Sequence, residues 1–222
     1  VDQSTWELVQ NSLVPLATGL FEGTLPLTLA SFPIGLVLAL VVALMRLSSV
    51  GVLQGIARVY VSVIRGTPLL LQLFLIYYAL PGLGVTIDPF PSAVIAFSLN
   101  VGGYASEVIR SAILSVPRGQ TEAALTIGMS YPTTMRRIVL PQAARVAVPP
   151  LSNTLISLVK DTSLASAIQA TELLRKAQEL AAPTFEFFTL YGIAALYYWV
   201  VCLVLSFGQT RVETRLNRFV AR

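Results

Sequence analysis

The chain has 222 residues, 55% hydrophobic and only 12% charged, with 15 basic against 11 acidic side chains and a net charge of +4. A mean hydropathy of +0.74 is too apolar for the surface of a soluble domain of this size, so lipid is the predicted solvent. With one cysteine, no histidine and no G-x-x-x-x-G-K-[ST], C-x-x-C or H-E-x-x-H pattern, the chain lacks an internal disulfide and a phosphate cradle of its own. Metal or nucleophilic chemistry has almost nothing to work with.

Residues 1–22 read as an outer interfacial segment. Trp6, Val9, Leu13, Leu16 and Leu20 recur at helical spacing opposite Asp2, Gln3 and Gln10, which is the pattern of a helix lying along a membrane surface. The segment has no basic n-region, so it is expected to be retained rather than cleaved as a signal. Uncharged runs of about 20 residues then predict transmembrane helices. The first span covers Gly23 to Met45. The second covers Gly66 to Leu80, extended back to Arg58, with Arg65-Gly66-Thr67-Pro68 as a helix breaker at its start. The third covers Phe90 to Arg110. The fourth, Arg145 to Thr171, carries Lys160 and Asp161 in its middle and has the weakest hydropathy signal; the fifth, Phe187 to Phe207, is the cleanest. The expected fold class is all-α: a polytopic membrane protein with a five-helix domain over residues 23–207 and a tail over 208–222.

Basic residues near the span ends set orientation. With the amino terminus outside, the inner segments hold Arg46, Arg58, Arg110, Arg118, Arg136, Arg137, Arg145, Arg211, Arg215, Arg218 and Arg222, against only Arg175 and Lys176 outside. The amino terminus is therefore expected outside and the carboxyl terminus inside. The positive charge is a topological signal, since no basic stripe is interleaved with exposed aromatics, and nucleic acid is not an expected partner.

Residues 111–144 are the longest inner connection on this topology, and their composition is helical rather than loop-like. Gln120 to Gly128 reads as a short helix with Glu122 in its first turn and Gly128 ending it. Ser130 is placed to cap a second short helix with Pro132 in its first turn and Pro141 stopping it. Ala123 and Ala124 would let a partner approach closely, and Arg136 with Arg137 would offer a charged flank. On physical grounds alone the segment is equally a docking element or an interfacial hairpin carrying positive-inside charge.

The spacing Glu122-Ala123-Ala124, three residues, Gly128, nine residues, Ile138, one residue, Leu140-Pro141 resembles the E-A-A-x3-G-x9-I-x-L-P signature of ABC importer permeases. Seven fixed positions over twenty residues make a specific match. Arg65 to Tyr78 and Pro141 to Ala165 look like the polar amino acid permease group, and the resemblance covers the chain from about residue 20 onward. Within that group the stretch Leu155 to Gln178 looks closest to the L-cystine type. The resemblance implies the type I importer fold in a bacterial cytoplasmic membrane. It also implies two permease chains, identical or paralogous, an ABC ATPase dimer, and a periplasmic or lipid-anchored solute-binding protein. ATP and Mg would sit on the ATPases, with no cofactor on this chain, which would be a transport subunit rather than an enzyme. Glu122, Ala123, Ala124, Gly128, Arg136 and Arg137 would then form the ATPase-coupling element.

The substrate path can be read independently, because an ionisable residue at membrane depth costs about 2.5 to 3.5 kcal/mol and tends to face a polar cavity or another charge; Arg65, Glu107, Lys160 and Asp161 are such residues, with Arg65 alternatively snorkelling to the inner headgroups. Asn100, Tyr104 and Glu107 stand at i, i+4 and i+7 of the third span, with Arg110 next on the same face. Lys160, Asp161, Thr162 and Ser163 break the fourth. An amino acid needs an acceptor for its ammonium, which Glu107 or Asp161 would supply. It needs a donor for its carboxylate, which Lys160, Thr162 or Ser163 would supply; alternatively Lys160 pairs with Glu107 or Asp161 structurally. Gln72 is the cavity candidate of the second span. Other polar amino acids such as Gln, His, Arg or Glu fit the same reading. An ATP-independent carrier is a different class, and the lack of an internal repeat argues against it.

Overall fold

Hydrocarbon offers no hydrogen-bond partner, so a spanning chain must satisfy its backbone internally. The computed structural model describes residues 3–217, and within them the chain does so with helices and no strand. Asp2, Arg218 and Arg222, used above for topology, lie outside the described residues, as do residues 218–222 of the expected tail.

The first helix, α1 (Gln3–Gly19), continues through a π turn (Leu20–Thr24) into α2 (Leu25–Leu47). The apolar helical run Trp6–Leu47 has 42 residues and at 1.5 Å per residue measures about 63 Å, twice the hydrocarbon thickness. The helix has no break at residues 22–23, where the sequence places a boundary. Leu16 and Leu20 are buried against Leu173, Ala177 and Ala194, whereas Trp6 stays exposed.

The second span is not one straight helix. Instead α3 (Gly51–Gly66) and the segment Leu69–Leu83, which begins with α4 (Leu69–Phe74), meet at 105°. Thr67 precedes a proline and is pushed into extended geometry, φ −122° and ψ 146°, and Pro68 has no N–H to offer the helix before it. The breaker read at Arg65 to Pro68 acts, but its effect is a sharp bend rather than the start of one span. The third span is α5 (Pro89–Leu114).

The inner connection folds as α6 (Arg118–Thr126) and α7 (Tyr131–Thr134). Gly128 takes φ +83°. Its N–H reaches the Leu125 carbonyl at 3.0 Å and that of Met129 reaches Ala124 at 3.0 Å, the paired bonds that close a helix on a left-handed residue. Gly128 thus ends the helix as the sequence predicts, although α6 starts at Arg118, which puts Glu122 beyond its first turn. Ser130 occupies the cap position, but its hydroxyl pairs with that of Thr133 at 2.8 Å instead of a backbone N–H.

Pro141 does not stop the second helix. A π turn (Met135–Val139) joins α7 to α8 (Leu140–Asp161), which ends in a 3-10 segment (Thr162–Ile168). The same device recurs three times. Leu25-Pro26, Leu80-Pro81 and Leu140-Pro141 each follow a π turn directly, and in each the leucine N–H bonds five residues back, to Leu20, Leu75 and Met135. Shifting the bond by one residue widens the turn where the proline ring would otherwise press on the carbonyl four residues before it. Beyond α8 come α9 (Leu173–Thr184) and α10 (Phe187–Asn217), so the last helix extends ten residues past the expected span end into the expected tail.

Trp6–Leu47, Pro89–Leu114 and Phe187–Leu216 are long and apolar enough to cross a membrane, and the bent pair makes a fourth. At 22 residues α8 has the length but is too polar to count with them. The main packing is α2 along α5, with α8 packed against α5 and touching α2. The core between them is built on Leu27, Leu73, Phe97, Val101 and Leu158. A second junction ties α1, α9 and α10. The buried Glu172 carboxylate accepts from the Leu174 N–H at 2.8 Å and the Tyr198 hydroxyl at 2.6 Å, while the Leu173 N–H donates to the Thr24 hydroxyl at 3.3 Å.

Gly23 makes that junction possible, since a Cβ there would stand 2.3 Å from the Thr171 carbonyl oxygen and 2.5 Å from the Glu172 Cα. Backbone atoms cannot yield as a flexible side chain does, so Gly23→Ala is predicted to cost about 1 to 3 kcal/mol. Gly55→Ala, where a Cβ meets nothing within 4 Å, should be neutral or stabilising by up to about 1 kcal/mol. Thermal melting of the two variants in detergent checks this, and equal midpoints would contradict the packing.

Candidate functional site

Three helices bring cations to one acid. Glu107 on α5 accepts a hydrogen bond from Arg46 at the end of α2 and pairs with Arg110 one turn along, at 3.3 and 3.4 Å. Arg65, at the end of α3, approaches it at 3.9 Å. The four side chains are partly shielded, at 19% exposure for Arg46, 23% for Glu107 and 27% for Arg110, with Arg65 the most open at 43%. Glu107 therefore neutralises part of the positive charge that Arg46, Arg110 and Arg65 bring together. It does not face the open cavity that its spacing from Asn100 and Tyr104 suggests.

That cavity lies where the α3–α4 bend meets α5 and α8, and holds about 440 Å3. The bend contributes Thr67, Pro68 and Leu69; α5 contributes Asn100, Val101 and Tyr104; α8 contributes Pro150, Asn153, Thr154, Ser157, Leu158 and Asp161. Of the sequence candidates, Asn100, Tyr104 and Asp161 come together on its wall. Among the described lining residues Asp161 is the one ionisable carboxylate, and no lysine or arginine joins it.

The remaining candidates lie elsewhere for identifiable reasons. Gln72 is buried, and its amide donates to the Ile64 carbonyl at 2.8 Å and to the Thr67 hydroxyl at 2.9 Å. The 105° bend strips the last carbonyls of α3 of their helical partners, and Gln72 replaces them. Thr162 is buried and donates to the Val159 carbonyl at 2.7 Å, and Ser163 donates to that of Lys160 at 2.7 Å. Both hydroxyls serve the passage from α8 into the 3-10 segment. Lys160 is exposed and off the cavity wall.

Sequence reading missed Thr67, Asn153, Thr154 and Ser157. Their signal was present, because Asn153, Ser157 and Asp161 repeat every fourth residue and so form a polar stripe on one face of α8. Asn153 also links α8 to α10, accepting from the Gln209 amide at 3.1 Å.

On the inner connection, Glu122, Ala123, Gly128, Arg136 and Arg137 are exposed while Ala124 is 2% exposed. Of the two alanines only Ala123 faces outward; Ala124 lets α6 close on α7 and the π turn that follows. Leu125, Ile127 and Tyr131 add exposed apolar area beside the charged positions.

Residues 31–218 match the family described as the binding-protein-dependent transport system inner membrane component. The chain is 57% identical over 218 residues to the L-cystine transport system permease protein TcyB of Bacillus subtilis (strain 168), covering 98% of this chain and 93% of that protein. It is 37% identical over 212 residues to the glutamine transport system permease protein GlnP of Escherichia coli (strain K12), covering 93% and 97% respectively. A crystal structure of an amino acid ABC transporter with histidines matches with a TM-score of 0.90 at 36% identity, covering 97% of this chain and 99% of that one. The inward-facing MetNI methionine ABC transporter matches at 0.74 with 19% identity over the same shares, a likeness of fold alone.

Removing the charge of Glu107 leaves three arginines facing one another, and at this partial exposure the loss lies between the exposed and the buried limits, about 1 to 2 kcal/mol. Glu107→Gln is therefore predicted to lower the melting temperature in detergent, and adding Arg46→Met should recover part of the loss. Purely additive effects in the two single variants and the double variant would contradict the cluster.

Proposed function

The chain belongs to the family of binding-protein-dependent transport system inner membrane components, and from that premise we propose that it is the permease of an ATP-driven importer of polar amino acids. Within that class L-cystine is the substrate best supported, by the 57% identity to TcyB along nearly the whole of both chains. The partners in this reading are an ABC ATPase dimer that binds ATP and Mg, an outer solute-binding protein and a second permease chain, taken as an identical copy. The protein is an integral inner membrane protein, and its basic inner segments favour the amino terminus outside.

One observation carries the transport reading: a cavity with a single carboxylate and neutral amide and hydroxyl groups, set between α5, α8 and a backbone break. Asp161 meets the substrate ammonium. Asn100, Asn153 and Ser157 offer amide and hydroxyl hydrogen bonds to the rest of the amino acid, whereas the Thr67 and Thr154 hydroxyls line the wall but donate to the Val63 and Pro150 carbonyls at 2.8 and 3.0 Å. Substrate and ATP must each favour one conformation over the other for the cycle to run.

The continuous helix from α7 through its π turn into α8 joins the two functional regions. Exposed Glu122, Ala123, Arg136 and Arg137 meet the ATPases, with Gly128 closing α6 beside them. Because α7 passes into α8 without a break, displacement of the inner connection moves the wall that carries Asn153, Ser157 and Asp161. A helix stopped at Pro141 would lose that motion in a hinge.

Asp161→Asn preserves size and hydrogen bonding but removes the charge. It is predicted to weaken amino acid binding to the assembled complex about thirtyfold, equivalent to about 2 kcal/mol, with melting temperature retained. Calorimetry with L-cystine, L-glutamine and L-arginine checks this and ranks the substrates; unchanged affinity for all of them would remove Asp161 from the site. Glu122→Lys, a charge reversal on an exposed helix, is predicted to reduce ATPase co-purification while the permease stays folded. Undiminished co-purification and coupled uptake would refute the docking role.

A further inference from the structure

An amino acid carries two opposite charges, and the cavity answers only one of them. Asp161 serves the ammonium, but the described lining residues include no cation. Lys160, next to Asp161 in sequence, points off the wall, and the Thr162 and Ser163 hydroxyls are spent on helix carbonyls. A carboxylate left to neutral donors alone would enter a desolvated site without a charged partner.

Arg65 is the cation in contact with a residue of that wall. Its guanidinium lies 5.3 Å from the centroid of the Tyr104 ring, and Tyr104 lines the cavity with 44% of its surface exposed. The bend that places Thr67 and Pro68 on the wall begins immediately after it. Gly103 allows this proximity, because a Cβ there would come within 2.6 Å of Ile64 Cγ2 and would push the end of α3 away from α5.

Arg65 is also the cation that Glu107 needs least. Arg46 and Arg110 already hydrogen-bond both carboxylate oxygens, whereas Arg65 stands at 3.9 Å and is the most exposed of the three. Three guanidiniums around one carboxylate leave a surplus of positive charge, and the loosest, most exposed member is the one able to leave. A guanidinium binds a carboxylate through two parallel hydrogen bonds and stacks on an aromatic ring, so Tyr104 offers a resting place beside the cavity.

We propose that Arg65 is the carboxylate-binding residue of the transport cavity: it exchanges its loose contact with Glu107 for the carboxylate of a bound amino acid while Tyr104 guides the guanidinium. This assignment rests on the amino acid transport reading and adds the half of the recognition that the lining residues lack.

The test uses the permease assembled with its ATPase in detergent, without the solute-binding protein, and compares L-cystine with cystamine, which keeps the disulfide and both ammonium groups but has no carboxylates. The intact complex is expected to prefer L-cystine. Arg65→Gln should weaken L-cystine binding about tenfold without weakening that of cystamine, and Arg65→Lys should retain part of the preference. Unchanged L-cystine affinity in Arg65→Gln overturns the assignment and leaves the transport reading standing. Equal loss for both probes also overturns it, since that marks a structural role through Glu107. If the intact complex binds no L-cystine, the cystine reading fails, and L-arginine against its decarboxylated counterpart agmatine decides the role of Arg65 by the same criteria.

Discussion

Every backbone N–H and C=O at membrane depth must find a partner within the protein, and the arrangement of this chain follows from where it cannot do so along a regular helix. Proline is the source of most exceptions. At Pro26, Pro81 and Pro141 the preceding leucine bonds five residues back, and the helix continues through a widened turn. At Pro68 the residue before it is extended, the helix ends, and the chain turns through 105°. The difference lies in what precedes each proline: a leucine held in helical geometry in the first three cases, an extended threonine in the last.

A break at depth is tolerated where protein covers it or where it borders a polar space. Both conditions hold at Thr67 and Pro68. Gln72 reaches back to the Ile64 carbonyl and closes the buried side, while Thr67, Pro68 and Leu69 form one wall of the cavity on the other. Facing them, Pro149 and Pro150 remove two N–H donors from α8 in the stretch that carries Asn153 and Thr154. The cavity thus borders the broken backbone at Thr67 and Pro68 on one side and the proline-bearing stretch of the unbroken helix α8 on the other.

Much of this was legible in residue order, and the limits of legibility are physical. The apolar runs, the breaker at Arg65 to Pro68 and the left-handed stop at Gly128 follow from local sterics and solvation, which a sequence carries openly. Pro141 was misread because its effect depends on the hydrogen-bond register of the preceding turn, and the Leu-Pro pattern becomes meaningful only when three copies are seen to share it. Gln72 was placed in the cavity because an amide in an apolar run suggests a polar space; the bend, absent from periodicity, gave it buried carbonyls instead. Glu107 shares a helix face with Asn100 and Tyr104, yet α2 and α3 bring Arg46 and Arg65 to it from 61 and 42 positions earlier in the chain. Such distant partners are set by packing, while the every-fourth-residue stripe on α8 was available and simply weaker than the charge signal beside it.

The two charged features of the core also act together. On the proposed topology Arg46 and Arg110 lie toward the inner side, and together with Arg65 they carry a surplus of positive charge that a single carboxylate cannot cancel. Asp161 lies across the cavity with the opposite sign. In the proposed site a zwitterion is oriented by these opposite charges, its ammonium toward Asp161 and its carboxylate toward the arginines. A ligand with only ammonium groups gains at one end and is repelled at the other. Selection in such a site depends on the order of charges along the ligand rather than on its net charge, and this lets one cavity accept neutral polar amino acids while discriminating against amines of similar size.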